Sequence, residues 1–260
     1  MSNKIKSVFK PIAFSYSEKK INQNFKFPSE KISVYSKKVN DWHFNLWYIG
    51  EISESKINSL KYTFSFPETN SLLDRNLIIC ETNNKVTIEN DWLGSIPVFY
   101  NLKDKIISTI PNLCLNDNSF DDEGLNIFLE FGYSAFEKTP FKNVQFMRYY
   151  SSLIIESNVI KIKYKDDPVL KFGLFNSKTK PEEVMSSIKK YIKNIEDNFS
   201  GDIIIPTSGG YDSRLLNWAI DDKSRIRSFT YGISGNQKNS REVVLAKEIS
   251  ERLKIKWQQI

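Results

Sequence analysis

The sequence predicts an α/β chain in two parts: an α+β sandwich of antiparallel sheets over residues 1–172, then a parallel-sheet domain over residues 173–260. Three observations predict it. Short β-branched and aromatic runs, broken by turn residues, fill the first two-thirds of the chain and suit packed sheets with few helices. Near residue 203 an apolar run passes into Gly209-Gly210 and then into a helix-like segment. From there strand-like and helix-like stretches alternate to residue 260, the pattern of a right-handed parallel unit. A length of 260 residues leaves room for two domains, and 40% apolar residues for two ordinary cores.

The elements follow in order. Residues 41–49 alternate as a half-buried strand does and hold the single histidine, His43, which reads as a structural residue rather than a catalytic base. Phe66-Pro67-Glu68-Thr69-Asn70 marks a turn. Residues 77–81 and 85–89 predict two strands joined by a short turn containing Asn83-Asn84, and residues 96–101 and 105–109 a second hairpin. Residues 121–132 begin with acids and end at Gly132, which suits a helix with a left-handed C-cap. Ile203 to Ile205 read as a buried parallel strand, residues 227–232 as the next, and residues 256–260 as a third that should lie centrally in its sheet. Between the last two, Ser240 is placed to cap an amphipathic helix with Val244, Leu245, Ile249 and Leu253 on one face.

Composition bounds the partners. A net charge of +6 favours an anionic partner, yet the basic residues are lysines scattered among Asn and Ile. Arginine is confined to Arg75, Arg148, Arg214, Arg225, Arg227, Arg241 and Arg252, so no phosphate-tracking stripe forms and nucleic acid is disfavoured. No run has transmembrane length and residues 1–6 lack an apolar leader, which predicts a cytoplasmic protein without a membrane partner. Cys80 and Cys114, each in an apolar stretch, are predicted to be buried free thiols.

The sharpest signal is Thr207-Ser208-Gly209-Gly210-Tyr211-Asp212-Ser213, a glycine turn between strand and helix. Backbone N–H groups at a helix N-terminus carry partial positive charge and suit a phosphate. Gly209 and Gly210 permit positive φ and close approach of an anion. Ser208 and Ser213 offer hydroxyl donors, and Ser213 stands where the helix begins. Asp212 would repel a phosphate unless it holds a bridging Mg²⁺ or fixes the turn through backbone N–H groups. No Gly-Lys-Ser/Thr ends the turn, so it is not a Walker A loop. The plain alternative is a Gly-Gly turn that binds nothing.

This stretch resembles the pyrophosphate loop of the N-type ATP pyrophosphatases, which implies an adenine-nucleotide alpha hydrolase-like fold, incomplete in these residues. By that resemblance Thr207, Ser208, Gly209, Gly210, Asp212, Ser213 and Tyr231 bind ATP, with Thr207 and Tyr231 lining the adenine pocket and Asp212 on Mg²⁺. A second block, Asp91-Trp92-Leu93-Gly94-Ser95-Ile96-Pro97-Val98-Phe99-Tyr100, is similar to the Asp-x-x-Gly-x-x-Pro-Leu-Tyr-Tyr stretch of asparagine synthetases. Residues 125–132 and Thr139-Pro140-Phe141-Lys142-Asn143-Val144 resemble their helix, Phe-Gly-Tyr and Thr-Phe-x-x-Ile segments. The likeness runs over residues 85–260 and implies an asparagine synthetase-like protein: a glutamine-amidotransferase-like (Ntn-type) sandwich followed by a synthetase domain. The activity implied is an ATP-dependent ligase that adenylates a small-molecule or peptide carboxylate. It forms an amide with an amine donor and releases AMP and pyrophosphate. A homodimer through the sandwich is also implied.

Two departures stand out. Glutaminases of that type use a Cys immediately after the initiator Met, and this chain has Ser2 there and no Cys before Cys80. Glutaminase activity is therefore expected to be lost, as in β-lactam synthetases and lasso-peptide cyclases, which the chain resembles in this respect. The synthetase domain of the family continues beyond its third strand with a further phosphate-contacting segment and a catalytic Lys. The resemblance thus implies that these 260 residues are a fragment inactive alone, or a nucleotide-binding subunit dependent on a partner. A tRNA-modifying enzyme with the same loop would need a sulfur-carrying Cys, and residues 201–260 contain none.

Overall fold

The computed structural model describes residues 9–21, 31–52, 61–65, 75–167, 170, 178–232 and 235–260. Ser2 and the turn expected at residues 66–70 lie outside the described residues. Helices occur with both antiparallel and parallel sheets, and the chain divides into two compact units, Met1–Phe175 and Asn176–Ile260. No helix among the described residues is long and apolar enough to cross a membrane.

The first unit runs β1 (Lys10–Ser17), β2 (Ile32–Val39), β3 (Trp42–Ile49), β4 (Lys61–Ser65), β5 (Asn76–Thr82), β6 (Lys85–Asn90), β7 (Phe99–Asn101), β8 (Ile106–Ser108), α1 (Asp122–Phe131), β9 (Gln145–Phe146), β10 (Ser151–Glu156) and β11 (Val159–Tyr164). Two antiparallel sheets form, ordered β2-β3-β1-β8-β7-β9 and β11-β10-β6-β5-β4. Alternation explains what each strand buries. Leu77 and Ile79 on β5 and Val86 and Ile88 on β6 face inward, with Ile79 paired to Ile88. The two sheets share one core: Phe14 meets Phe64 with ring centroids 5.7 Å apart, and Phe44 meets Tyr62 at 5.2 Å. Each such buried side chain contributes about 1.5–3 kcal/mol.

The same alternation corrects one expectation. Cys114 is buried, and burial pushes its thiol up to about 12. Cys80 is exposed, because it lies between the buried Ile79 and Glu81 and so projects from the other face of β5.

A polar cluster sits within this core. Buried Glu81 accepts a hydrogen bond from the Tyr16 hydroxyl and pairs with Lys37, whose ammonium lies 5.5 Å from the Phe44 ring centroid and 5.3 Å from that of Tyr62. Burial alone would lower the Lys37 pKa; hydrogen bonds with Glu81 and Tyr62 outweigh it, and the net direction is upward.

Local signals set the ends of α1. Asp121 accepts from the Gly124 amide at 2.8 Å, and Gly132 ends the helix at φ 77, a left-handed cap that glycine adopts without a Cβ penalty. Asp91 in the 91–100 block is a structural fastener. Its carboxylate accepts from the amides of Asn76 at 2.9 Å, Leu93 at 2.8 Å and Ser95 at 3.2 Å.

The second unit runs α2 (Pro181–Asn198), β12 (Ile203–Pro206), α3 (Tyr211–Ala219), β13 (Ile226–Thr230), α4 (Arg241–Leu253) and β14 (Lys256–Gln259). Its strands are parallel in the order β12-β13-β14, with β13 paired on both sides among the described residues. Ile205, Ile220, Ile226 and Ile255 form its core, with Ile192 of α2 and Leu253 of α4 against them. Only Ile205 of the β12 isoleucines is buried. Its neighbour Ile204, on the opposite face, is 69% exposed, which overturns the fully buried strand.

Ser240 caps α4 by accepting from the Val243 amide at 3.3 Å. The buried stripe of that helix is Val243, Ala246 and Ser250, and Val244 points to solvent. Glu196 of α2 accepts from the amides of Asp221 and Asp222 at 3.1 and 3.0 Å, tying α2 to the end of α3. Lys223 donates to the carbonyls of Asn217 at 2.7 Å, Trp218 at 2.8 Å and Ile220, closing the C-terminus of α3 with a positive charge. Burial lowers its pKa despite nearby Asp221 and Glu196.

Candidate phosphate-binding turn

The parallel register pairs Pro206 with Phe229, so the turn after β12 and the residues after β13 leave the sheet at one carboxyl edge. In parallel sheets that edge is where ligands bind. Thr207 anchors the turn from below. It is buried; its Oγ1 accepts from Asn217 Nδ2 at 2.8 Å and lies 2.6 Å from Ser228 Oγ, while its amide donates to the Phe229 carbonyl at 2.8 Å. Thr230 Oγ1 donates to the Thr207 carbonyl at 2.7 Å. The Thr207 hydroxyl is thus held within the protein interior.

The two serines hold each other. Ser213 Oγ accepts from the Ser208 amide at 3.1 Å and donates to the Ser208 carbonyl at 3.2 Å. Ser208 Oγ accepts from the Gly210 amide at 3.1 Å. Short polar side chains in a tight turn find the nearest backbone groups first, so these hydroxyls brace the turn. Ser213 is also not the first residue of the helix. Gly210 occupies the cap position with φ −74, and Ser213 is the third residue of α3.

Neither Gly209 nor Gly210 has the positive φ that the sequence suggested. Gly209 is favoured for another reason: a Cβ there would lie 3.0 Å from Leu245 Cδ1 and 3.1 Å from Leu245 Cβ on α4. Close packing of α4, not backbone handedness, disfavours a side chain there.

What remains is a set of open donors. The cap of α3 receives no side-chain hydrogen bond, and the amides of Gly209, Tyr211, Asp212 and Ser213 make no hydrogen bond to the described residues. They are the donors a helix N-terminus leaves unsatisfied, and its dipole favours a negative charge beside them. Arg214 adds a full charge. Its Nη2 donates to the Gly209 carbonyl at 3.2 Å, and its guanidinium lies 5.1 Å from the Tyr211 ring centroid. Motif reading passed over Arg214. The available signal was its spacing, four residues after Gly210, which returns a long helical side chain toward the N-terminus.

Asp212 is exposed on the first turn of α3, and no backbone N–H of the turn bonds to it among the described residues. The described residues contain no group of three His, Cys, Asp or Glu able to hold a metal. A Mg²⁺ at Asp212 would therefore depend on phosphate oxygens and water for its other ligands, a donor set that Mg²⁺ commonly adopts. Tyr231 follows β13 directly and is 68% exposed, its ring 6.4 Å from that of Phe229. Ser208, Gly209, Gly210, Asp212 and Ser213 thus share one turn, Tyr231 emerges at the same edge, and Thr207 lies beneath. No family model matches the chain, and no curated protein matches it.

Proposed function

We propose that the 208–213 turn binds the phosphate tail of ATP and that the protein is an asparagine synthetase-like, AMP-forming ligase. The observation that carries this reading is the row of four uncommitted amides at the N-terminus of α3, directly after a parallel strand. ATP supplies the activation: a substrate carboxylate is adenylated, pyrophosphate leaves, and an amine forms the amide as AMP departs. The turn's amides stabilise charge on the leaving phosphates, Arg214 keeps the turn in shape through Gly209, and Asp212 would hold Mg²⁺. Removing one such preorganised donor typically costs about 3 kcal/mol of barrier. The paired antiparallel sheets of the first unit fit a glutamine-amidotransferase-like sandwich without its Cys nucleophile.

A second reading is nucleotide binding without turnover, completed by a partner. Calorimetry with Mg-ATP, followed by ATP–pyrophosphate exchange, separates the two. Micromolar binding with exchange supports the ligase, and binding without exchange supports the second reading. Absence of binding would remove the phosphate assignment from both. In the full-length protein Asp212→Ala should abolish exchange, and wild-type exchange in that variant would refute its metal role.

A further inference from the structure

α3 is nine residues long, and an isolated helix of that length is marginal in water, so its ends decide where it sits. The N-terminal end carries the open amides and lacks a side-chain cap. The C-terminal end lacks a left-handed cap residue: Ile220 follows it in extended conformation, at φ −70 and ψ 129. No basic residue stands in the last turn of the helix itself.

Lys223, in the short turn Lys223–Arg225 beyond the helix, closes that end. An ammonium has three N–H donors, and here they reach the carbonyls of Asn217 at 2.7 Å, Trp218 at 2.8 Å and Ile220. The seat is a cage of helix-end carbonyls filled by a tethered cation, and the helix dipole adds to the attraction. One of the three carbonyls belongs to the residue that also grips the turn. Asn217 is fully buried, and its Nδ2 donates to Thr207 Oγ1 at 2.8 Å and to the Ser213 carbonyl at 2.8 Å. Ser213 Oγ accepts from the Ser208 amide. A continuous series of hydrogen bonds therefore leads from Lys223 through Asn217 to Thr207, Ser213 and Ser208. Arg225 supplies the contrast. It also caps helix-end carbonyls, but those of Glu196 and Phe199 at the end of α2, with Gly201 beyond, none of them on α3 or the turn.

We propose that Lys223 is a positioning residue of the 208–213 turn: its ammonium fixes Asn217, and through Asn217 the place of Ser213 and of the open amides. That the placed amides serve a phosphate rests on the ATP reading; the placement does not.

The test is amide NMR on residues 1–260 without ligand, followed by Mg-ATP calorimetry on the same samples. Lys223→Ala removes, beyond Cβ, the atoms of n-propylammonium. In that variant the amides of Ser208, Gly210 and Ser213 should shift, and Mg-ATP should bind about tenfold more weakly, the range for a lost hydrogen bond to a charged group. Added n-propylammonium should restore both, whereas tetramethylammonium, which has the charge but no N–H, should restore neither. Arg225→Ala should leave the turn amides in place. Should Lys223→Ala not fold, Lys223→Gln, which satisfies fewer of the three carbonyls, should show the same shifts at smaller size. Turn amides unmoved in a folded variant, displacement that propylammonium leaves unrepaired, equal repair by tetramethylammonium, or equal displacement in Arg225→Ala would overturn the inference. If the amides move and are restored while Mg-ATP binds none of the proteins, the positioning role stands and only the phosphate assignment falls. If Mg-ATP binds wild type and Lys223→Ala alike with the turn amides unmoved, only the positioning role falls.

Discussion

Ser208 and Ser213 are bonded twice across the turn, amide to hydroxyl at 3.1 Å and hydroxyl to carbonyl at 3.2 Å. Two serines five residues apart thereby fix the turn while leaving the amides of Gly209 and Tyr211 to Ser213 uncommitted. A site braced in this way needs little rearrangement when an anion arrives, which is the condition for electrostatic preorganisation.

Ser213→Ala removes the brace and strands the Ser208 amide. One hydrogen bond of this kind is worth about 1 kcal/mol, so Mg-ATP affinity should fall about fivefold in calorimetry. Ser213→Thr keeps the hydroxyl and should stay near wild type. Equal affinity in all three proteins would mean that the brace does not organise the site.

Gly209→Ala drives a Cβ against Leu245 on α4. Overpacking of this sort costs about 1–3 kcal/mol. Urea unfolding should show that loss, and adding Leu245→Ala should recover part of it as a favourable coupling in a double-mutant cycle. Strict additivity would place the clash elsewhere.

Thr207→Val is nearly isosteric but deletes the acceptor for Asn217 Nδ2 and the partner of Ser228 Oγ. Asn217 Oδ1 is already buried without a partner, so the amide would be left poorly satisfied. A loss of about 2 kcal/mol in unfolding free energy is expected, with Thr207→Ser close to wild type.

The Tyr16–Glu81–Lys37 cluster predicts alkaline sensitivity. Burial raises the Tyr16 and Tyr62 hydroxyls, and Lys37 is raised on balance. In the unfolded chain these groups release protons near pH 10, while the folded unit holds them to higher pH. Above about pH 10 the folded state therefore binds more protons than the unfolded state, and stability falls as pH rises. Lys223, lowered by burial, contributes with the opposite sign. Tyr16→Phe isolates the cluster: its thermal midpoint should be lower at neutral pH and decline less steeply above about pH 10. Parallel decline in both proteins would show that Tyr16 is not protected.

Much of this architecture was legible because its signals are local. Asp121 and Gly132 frame α1, Asn83-Asn84 closes the β5–β6 hairpin, and Ser240 opens α4, each through a bond within four residues. What escaped depends on partners distant in sequence. Cys80 and Ile204 are exposed because each faces away from the core its strand serves, and composition does not say which face is covered. The reason for Gly209 lies on α4, thirty-odd residues away in Leu245. The mutual bonds of Ser208 and Ser213 follow from the shape of the turn, which the motif alone does not specify.

The most direct test is amide NMR on the chain during titration with Mg-ATP. The resonances of Gly209, Tyr211, Asp212 and Ser213 should shift together and saturably, while that of Ser208, already bonded to Ser213, moves least. If ATP leaves those four amides unmoved at saturation, or fails to bind, the turn is not a phosphate cradle and the ligase account is contradicted.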